Sequence, residues 1–129
     1  MIGGMSEIII KSRDLSSLKD GDKIWFFDIS FCDRGFSRAF NHFIPPTQAV
    51  VDKKLGKINP VDNNLRPKYI NENYIFDLKQ GLKRPICVGF LTVEECVSNF
   101  NELLELRKEE ITDSLDKLCK SLSNKIVKL

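Results

Sequence analysis

The fold of this chain is decided around residues 19–30, KDGDKIWFFDIS, where a Gly-Asp corner leads directly into a row of apolar and aromatic side chains. In an extended strand, Ile24 and Phe26 face one way and Trp25 and Phe27 face the other. Because both faces are apolar, the pattern predicts a strand that is central or covered on both sides. A tryptophan is rarely buried completely, so we expect Trp25 to reach a surface.

Short apolar segments on either side of this stretch predict further strands. Residues 6–12 and 86–90 are rich in β-branched and apolar residues, which is typical of short strands. Residues 47–61 predict a strand that returns through a turn at Gly56, and residues 68–78 predict a strand or hairpin. We therefore expect a small antiparallel β-barrel or a curved sheet of four to five strands.

From Thr92 onward the pattern becomes helical. Thr92 and Glu95 have the spacing of a capping box, and the apolar residues that follow keep to one stripe. A continuous helix over residues 92–129 would extend about 57 Å, which is longer than a domain of this size is wide. Weak helix formers at residues 112–114 therefore favour a break into two packed helices, and a single projecting helix is the alternative.

These patterns predict one α+β domain over residues 1–129. Residues 6–91 form its mainly β part, and residues 92–129 form a C-terminal helix or helical hairpin. Of 129 residues, 42% are hydrophobic and 29% are charged, which is typical of a globular chain with a real core. The formal net charge of +2 is too small to indicate a nucleic-acid partner by itself.

The cysteines and the hydropathy pattern bear on where the chain acts. Cys32, Cys87, Cys96 and Cys119 form no C-x-x-C pair and lie beside apolar residues, which predicts reduced thiols in a cytosolic protein. We find neither a secretory signal nor an apolar run of about 18 residues that could span a bilayer. We therefore expect a cytoplasmic protein without a membrane partner.

Enzyme signatures are missing from the sequence. It contains no Gly-rich phosphate loop, no G-x-S-x-G and no H-E-x-x-H motif. A single histidine excludes a multi-histidine metal site, so we expect neither an enzyme nor a cofactor. A thiolate–imidazole pair of Cys32 and His42 is the alternative for an enzyme or small-molecule site, and Cys87 and Cys96 would complete a zinc ligand set.

The segment at residues 31–44, FCDRGFSRAFNHFI, mixes phenylalanines with two arginines and the histidine. Phe36, Phe40 and Phe43 follow one another at spacings of four and three, which predicts a short helix that ends at Pro45. An irregular aromatic loop is the alternative.

Arginine and aromatic side chains in such a mixture are typical of protein interfaces, and they also bind single-stranded nucleic acid. Plain core packing with solvated charges explains them as well. The predicted binding residues are Trp25, Arg34, Phe36, Arg38, Phe40 and His42. The residues predicted for nucleic-acid contact are Lys53, Lys54, Lys57, Arg66 and Lys68.

Three segments in this order, LKDGDKIWFFDI, PPTQAVVDKKLGKI and ICVGFLTVEECVSNFNELL, resemble small accessory proteins of tailed phages. Those proteins look like SH3-like or KOW-like barrels with an appended C-terminal helix. The similarity spans residues 18–106 and rests on general fold signals, so it transfers no functional residue. It implies a phage or mobile-element origin and a binding role in the host cytoplasm, such as inhibition of a host or defence protein.

The function expected from the sequence is therefore that of a non-enzymatic protein acting through protein–protein contact. A nucleic-acid-binding SH3-like or KOW-like module is the first alternative, and a small-molecule site or enzyme using Cys32 and His42 is the second. A homodimer through residues 97–126 of the C-terminal helix is a separate prediction.

Overall fold

The computed structural model describes residues 6–11, 17–32, 40–72 and 76–128. Within these residues, six strands close into a barrel that is followed by one long helix. The strands are β1 (Ser6–Ile10), β2 (Lys23–Phe31), β3 (Phe40–Asp52), β4 (Lys57–Pro60), β5 (Lys68–Ile70) and β6 (Ile86–Phe90). A 3-10 helix, Leu78–Leu82, precedes β6, and the long helix is α1 (Val93–Ser123).

The order around the barrel is β1, β5, β4, β3, β2, β6, and β6 returns to β1. The pairs of β2 with β3, β3 with β4, β4 with β5 and β2 with β6 are antiparallel, while β1 lies parallel to β5 and β6. The predicted α+β fold with a small barrel and a C-terminal helix is confirmed. The strands number six rather than four or five. The pairing of β1 with β6 closes the sheet into a barrel and so removes its exposed edges.

Strand β2 is covered on both faces, as its sequence predicts. Ile24 and Phe26 point into the barrel, and Phe27 and Ile29 point outward against α1. The interior cluster comprises Ile8, Ile10, Leu18, Ile24, Phe26, Ala49, Val51 and Ile58. The outer cluster comprises Phe27, Ile29, Leu78, Ile86, Val88, Phe90, Cys96, Phe100 and Leu103. Trp25 packs against the outer cluster and is only partly buried, so it reaches the surface as expected.

The helix or loop predicted for residues 31–44 is wrong at Phe31, which ends β2, and at residues 40–44, which belong to β3. Strand β3 begins at Phe40 and runs through both prolines to Asp52, paired with β2 along most of its length. The register shifts between Phe26 and Asp28, opposite the two prolines. A proline has no N–H to contribute to a ladder, and a register irregularity is a position that tolerates this loss. The remainder of the predicted segment, residues 33–39, lies outside the described residues.

The predicted break in the C-terminal helix is also wrong. Helix α1 is continuous over 31 residues, which corresponds to about 46 Å. Its start is as predicted, because the Thr92 hydroxyl accepts a hydrogen bond from the Glu95 N–H at 3.2 Å. The Thr112 hydroxyl donates to the Lys108 carbonyl at 2.9 Å and remains within the regular helix.

Only the first half of α1 packs on the barrel. Cys96, Phe100 and Leu103 are buried, whereas every residue from 112 to 123 is exposed. The structure therefore corresponds to the projecting helix that the sequence left as the alternative. No helix within the described ranges is both long enough and apolar enough to cross a membrane.

Candidate functional site

A series of phenylalanine rings marks the point where α1 leaves the barrel. Phe31 ends β2 and Phe40 begins β3, and the two residues are paired in the ladder with their ring centroids 5.6 Å apart. The Phe40 ring lies 4.6 Å from Phe43, and the Phe43 ring lies 5.7 Å from Phe100 on α1. The predicted aromatic residues therefore join one end of the barrel to the helix.

Arg107 attaches the middle of α1 to this end of the barrel. Its Nη2 donates to the Cys32 carbonyl at 3.2 Å, and its guanidinium carbon lies 5.3 Å from the centroid of the Phe31 ring. Nη1 lies 3.4 Å from Glu110 Oε1 one turn along the helix. The sequence shows Arg107 only as an interruption of an apolar stripe. Its role could not be inferred there, because its partners Phe31 and Cys32 lie at the end of β2, about 75 residues earlier.

A groove of about 320 Å³ lies between the aromatic rings and α1. Its wall is mostly apolar, with the polar and charged side chains from α1 at its rim. The lining residues are Phe31, Phe40, Leu104, Arg107, Lys108, Ile111 and Thr112. The groove is large enough to receive one or two apolar side chains.

An exposed apolar stripe continues from the groove along the projecting half of α1. This distal stripe consists of Ile111, Leu115, Leu118 and Leu122, at spacings of four, three and four. The three leucines are 39%, 53% and 60% exposed. Because Ile111 belongs to both features, the groove and the distal stripe form one continuous surface, which we call the apolar face. A contiguous exposed surface of large apolar residues is typical of an interaction site.

The structure separates the three predicted binding residues that it describes. Phe40 lines the groove, Trp25 lies on β2 against the outer cluster, and His42 belongs to a polar cluster described below. Arg34, Phe36 and Arg38 lie outside the described residues. The leucines of α1 were not among the six residues predicted for binding, because a helical apolar stripe usually packs in a core. They fall within residues 97–126, for which the sequence separately predicts a homodimer contact, and that contact stays a prediction. The excessive length of the predicted helix was the signal that could have identified them.

The polar cluster lies at one end of the barrel and is centred on Asp28. The Asp28 Oδ2 atom accepts a hydrogen bond from Lys68 Nζ at 2.9 Å, and His42 Nε2 lies 3.2 Å from the same oxygen. Asp28 and Lys68 are both buried. Burial raises the pKa of the neighbouring Cys87 thiol well above its ordinary value, and the Asp28 charge raises it further. The thiol therefore stays protonated at neutral pH, which makes it a poor nucleophile.

His42 contacts Asp28, and the predicted pair of Cys32 with His42 stays a prediction. Cys32 is buried at the end of β2, where its carbonyl accepts from Arg107. Among the described residues, no three His, Cys, Asp or Glu side chains are arranged to hold a metal ion. Cys32, His42, Cys87 and Cys96 therefore do not form the zinc ligand set considered from the sequence. The four cysteines have free thiols.

The residues predicted for nucleic-acid contact differ widely in exposure. Lys53 and Lys54 lie in the turn after β3, Lys57 begins β4, and Arg66 lies in the loop before β5. Lys68 is only 4% exposed, and Asp28 already compensates its charge. A phosphate contact by Lys68 would require this buried ion pair to break.

Comparisons with protein-family models, curated proteins and solved structures gave no significant match. The resemblance to tailed-phage accessory proteins therefore stays a prediction, as do a host or defence protein as partner and a nucleic-acid-binding role.

Proposed function

We propose that this chain is a non-enzymatic binding protein whose apolar face receives an amphipathic helix of a protein partner. The observation that carries the proposal is the continuity of the groove with the distal stripe, which leaves large apolar side chains in water. Burying one such side chain contributes about 1.5–3 kcal/mol, so several together supply a substantial driving force for association.

The geometry of the distal stripe favours a helix as the bound element. Its four residues follow the spacing that two helices use when they pack side by side. The positions beside the stripe are Thr112, Ser114, Cys119 and Ser121, which are small and uncharged. A second helix can therefore approach closely, while the groove receives apolar side chains at its end.

The charges of the apolar face support a protein partner over a nucleic acid. Arg107 and Lys108 line the groove, but the α1 segment around it also carries Glu102, Glu105 and Glu109. Basic and acidic side chains are thus mixed around the groove, which does not have the dense positive charge by which proteins neutralise phosphates. A host or defence protein as the specific partner rests on the phage resemblance alone.

Affinity capture from a nuclease-treated bacterial lysate tests the proposal. The baits are the wild-type chain, a stripe variant with Leu115→Gln and Leu118→Gln, and a control with Asp116→Gln and Lys120→Gln. The control changes the opposite face of the same helix and keeps the net charge. We expect mass spectrometry to find a protein that the stripe variant loses and the control retains. Equal recovery by all three baits, or recovery of nuclease-sensitive material only, would contradict the proposal.

A further inference from the structure

The chain from Glu102 to Lys128, which includes the projecting half of α1, changes the sign of its charge near the centre of the distal stripe. Residues 102–116 contain six acidic and two basic side chains, whereas residues 117–128 contain four lysines and no acidic side chain. The change of sign falls between Asp116 and Lys117, which is also the midpoint between Ile111 and Leu122. An acidic half followed by a basic half is complementary to itself when two such helices run antiparallel.

From this coincidence of charge and stripe we propose that the partner on the apolar face is a second copy of this chain, bound antiparallel through α1. The inference rests on the proposed function and names its partner. It predicts an isologous pair with a two-fold axis near residues 116 and 117. Such a pair closes on itself because each copy offers the same surface to the other.

The register follows from the midpoint. When two copies cross antiparallel between Asp116 and Lys117, Leu115 of one lies level with Leu118 of the second copy. Ile111 then lies level with Leu122 of the second copy, so all four stripe residues find apolar partners. Lys108 occupies the next helical position that would face the partner, and Lys125 follows the end of α1. Lys108 comes level with Lys125 of the second copy, and these like charges end the apolar contact on both sides.

The groove lies where the end of the second copy arrives. In the same register, Ser123, the last residue of the second copy's α1, comes level with Glu110, next to the groove residue Ile111. Ile126 and Val127 follow this helix end and are therefore near enough to reach the groove. These two residues are 70% and 83% exposed. Packing of these two residues against Phe31, Phe40 and Leu104 would cover the groove and the two residues themselves. The same contact would form twice, once in each half of the pair. The helix contact alone involves four residues of each copy. Filling the groove increases the buried area of the pair toward the roughly 1,600 Å² in total that stable interfaces bury.

Sedimentation equilibrium of the full chain tests the pairing. We expect the wild-type chain and the control with Asp116→Gln and Lys120→Gln to be dimers at micromolar concentration. The stripe variant with Leu115→Gln and Leu118→Gln should have half that mass and still unfold cooperatively, since both leucines are exposed in the single chain. Its thermal midpoint should not depend on protein concentration, whereas that of the wild-type dimer should rise with concentration. A third variant, Ile126→Ser with Val127→Ser, should weaken the dimer by at least about tenfold if the groove is filled.

Cross-linking between two helices that each carry one exposed thiol tests the orientation; the second thiol of α1, Cys96, is buried. One chain carries Thr112→Cys and Cys119→Ser, and the other is wild type with its exposed Cys119. Residues 112 and 119 lie on the same edge of the stripe, so an antiparallel pair brings position 112 of one copy near position 119 of the other. A short bifunctional maleimide should join these two positions between chains. A parallel pair places them on opposite sides and would overturn the inference.

The outcomes separate this inference from the proposed function. A monomeric wild-type chain overturns self-pairing, and if the stripe variant still loses a captured protein, the proposed function stands. A dimer that the stripe substitutions leave intact overturns both the location of the pairing and the role of the apolar face in it. The inference is supported by a dimer that the stripe variant loses, that the variant with Ile126→Ser and Val127→Ser weakens, and that the control retains.

Discussion

The ion pair of Asp28 with Lys68 joins β2 to β5 at one end of the barrel. Two buried charges cost desolvation energy, which their mutual attraction repays only when the geometry is good. Here one carboxylate oxygen lies 2.9 Å from the ammonium and 3.2 Å from the imidazole of His42. The pair is thus a buried polar contact between β2 and β5 in a barrel whose interior is otherwise mainly apolar.

Substitution of Lys68 by methionine should destabilise the fold by about 3 kcal/mol, because it leaves the Asp28 carboxylate buried without its main partner. Urea unfolding measures the effect. The double variant Asp28→Asn with Lys68→Met should recover part of the loss, since neither charge remains. Lys54→Met at an exposed turn is the control and should change stability by less than about 0.5 kcal/mol. A cost for Lys68→Met as small as that of the control would contradict the prediction.

The buried thiols should make stability fall at alkaline pH. Burial raises the pKa of Cys96 from 9.0 to about 12. The unfolded chain therefore releases this proton above pH 9 while the folded chain retains it, so folding loses about 1.4 kcal/mol per pH unit between pH 9 and 12. Cys96→Ala should lower the stability at neutral pH but reduce the slope above pH 9. Equal slopes in the two proteins, measured by urea unfolding at several pH values, would contradict this.

At the scale of elements, α1 consists of two halves with different environments. The first half covers the outer face of β2 and β6 through Phe100 and Leu103, and the second half is exposed. Arg107 lies between them and binds the Cys32 carbonyl. Stability of the barrel should therefore depend on residues before Arg107, and association on residues after it.

Leu103→Ala should destabilise the fold by about 3 kcal/mol, because Leu103 is fully buried and its removal leaves a cavity. Val97→Ala, at an exposed position on the same half of α1, should cost less than about 1 kcal/mol. Thermal or urea unfolding compares the two variants. Similar losses in both would show that the first half of α1 is not packed as described.

Gly81 permits the 3-10 helix to approach α1 closely. A Cβ atom at this position would lie 2.8 Å from Ile86 Cγ2 and 3.1 Å from each methyl carbon of Leu103. Gly81→Ala should therefore cost about 1–3 kcal/mol through overpacking. The cost should shrink in a Leu103→Ala background, where both methyl groups are gone. An unchanged cost in the double-mutant cycle would assign the effect to the contact with Ile86 or to the backbone instead of Leu103.

At the scale of the whole molecule, a closed barrel carries a helix that extends beyond it. The two apolar clusters contain every buried apolar side chain of the described residues except Cys32. Among the described residues, the distal stripe lies outside both clusters, and its three leucines are exposed. Association through the apolar face, as proposed above, would remove these side chains from water.

Hydrogen exchange should show directly whether residues 112–123 become covered when the chain associates. Amides of residues 112–123 should be protected at high protein concentration and exchange faster on dilution, because a free helix end opens readily. Amides of β2 and β6 should keep the same protection at both concentrations, since their bonds lie within one chain. Protection of residues 112–123 that does not depend on concentration would contradict pairing in solution.

Local patterns determined much of this protein. The two apolar faces of β2, the hairpin turn at Gly56, the strand at residues 86–90 and the Thr92 cap follow from side-chain periodicity and backbone preferences of neighbouring residues. The same reasoning predicted the barrel with its C-terminal helix. It succeeded there because these features depend on contacts close in sequence or on which faces are apolar.

Contacts between distant segments decided the rest. Pairing with β2 turned residues 40–46 into strand against their helical spacing and their prolines, and ring closure added the parallel contacts of β1. Whether the apolar stripe of α1 is buried or exposed depends on how far α1 remains in contact with the barrel. Only the tertiary structure shows that this contact ends near Arg107. The sequence of the apolar face therefore has the pattern of an ordinary core helix, and only the fold shows that the other described residues leave the leucines of the distal stripe exposed.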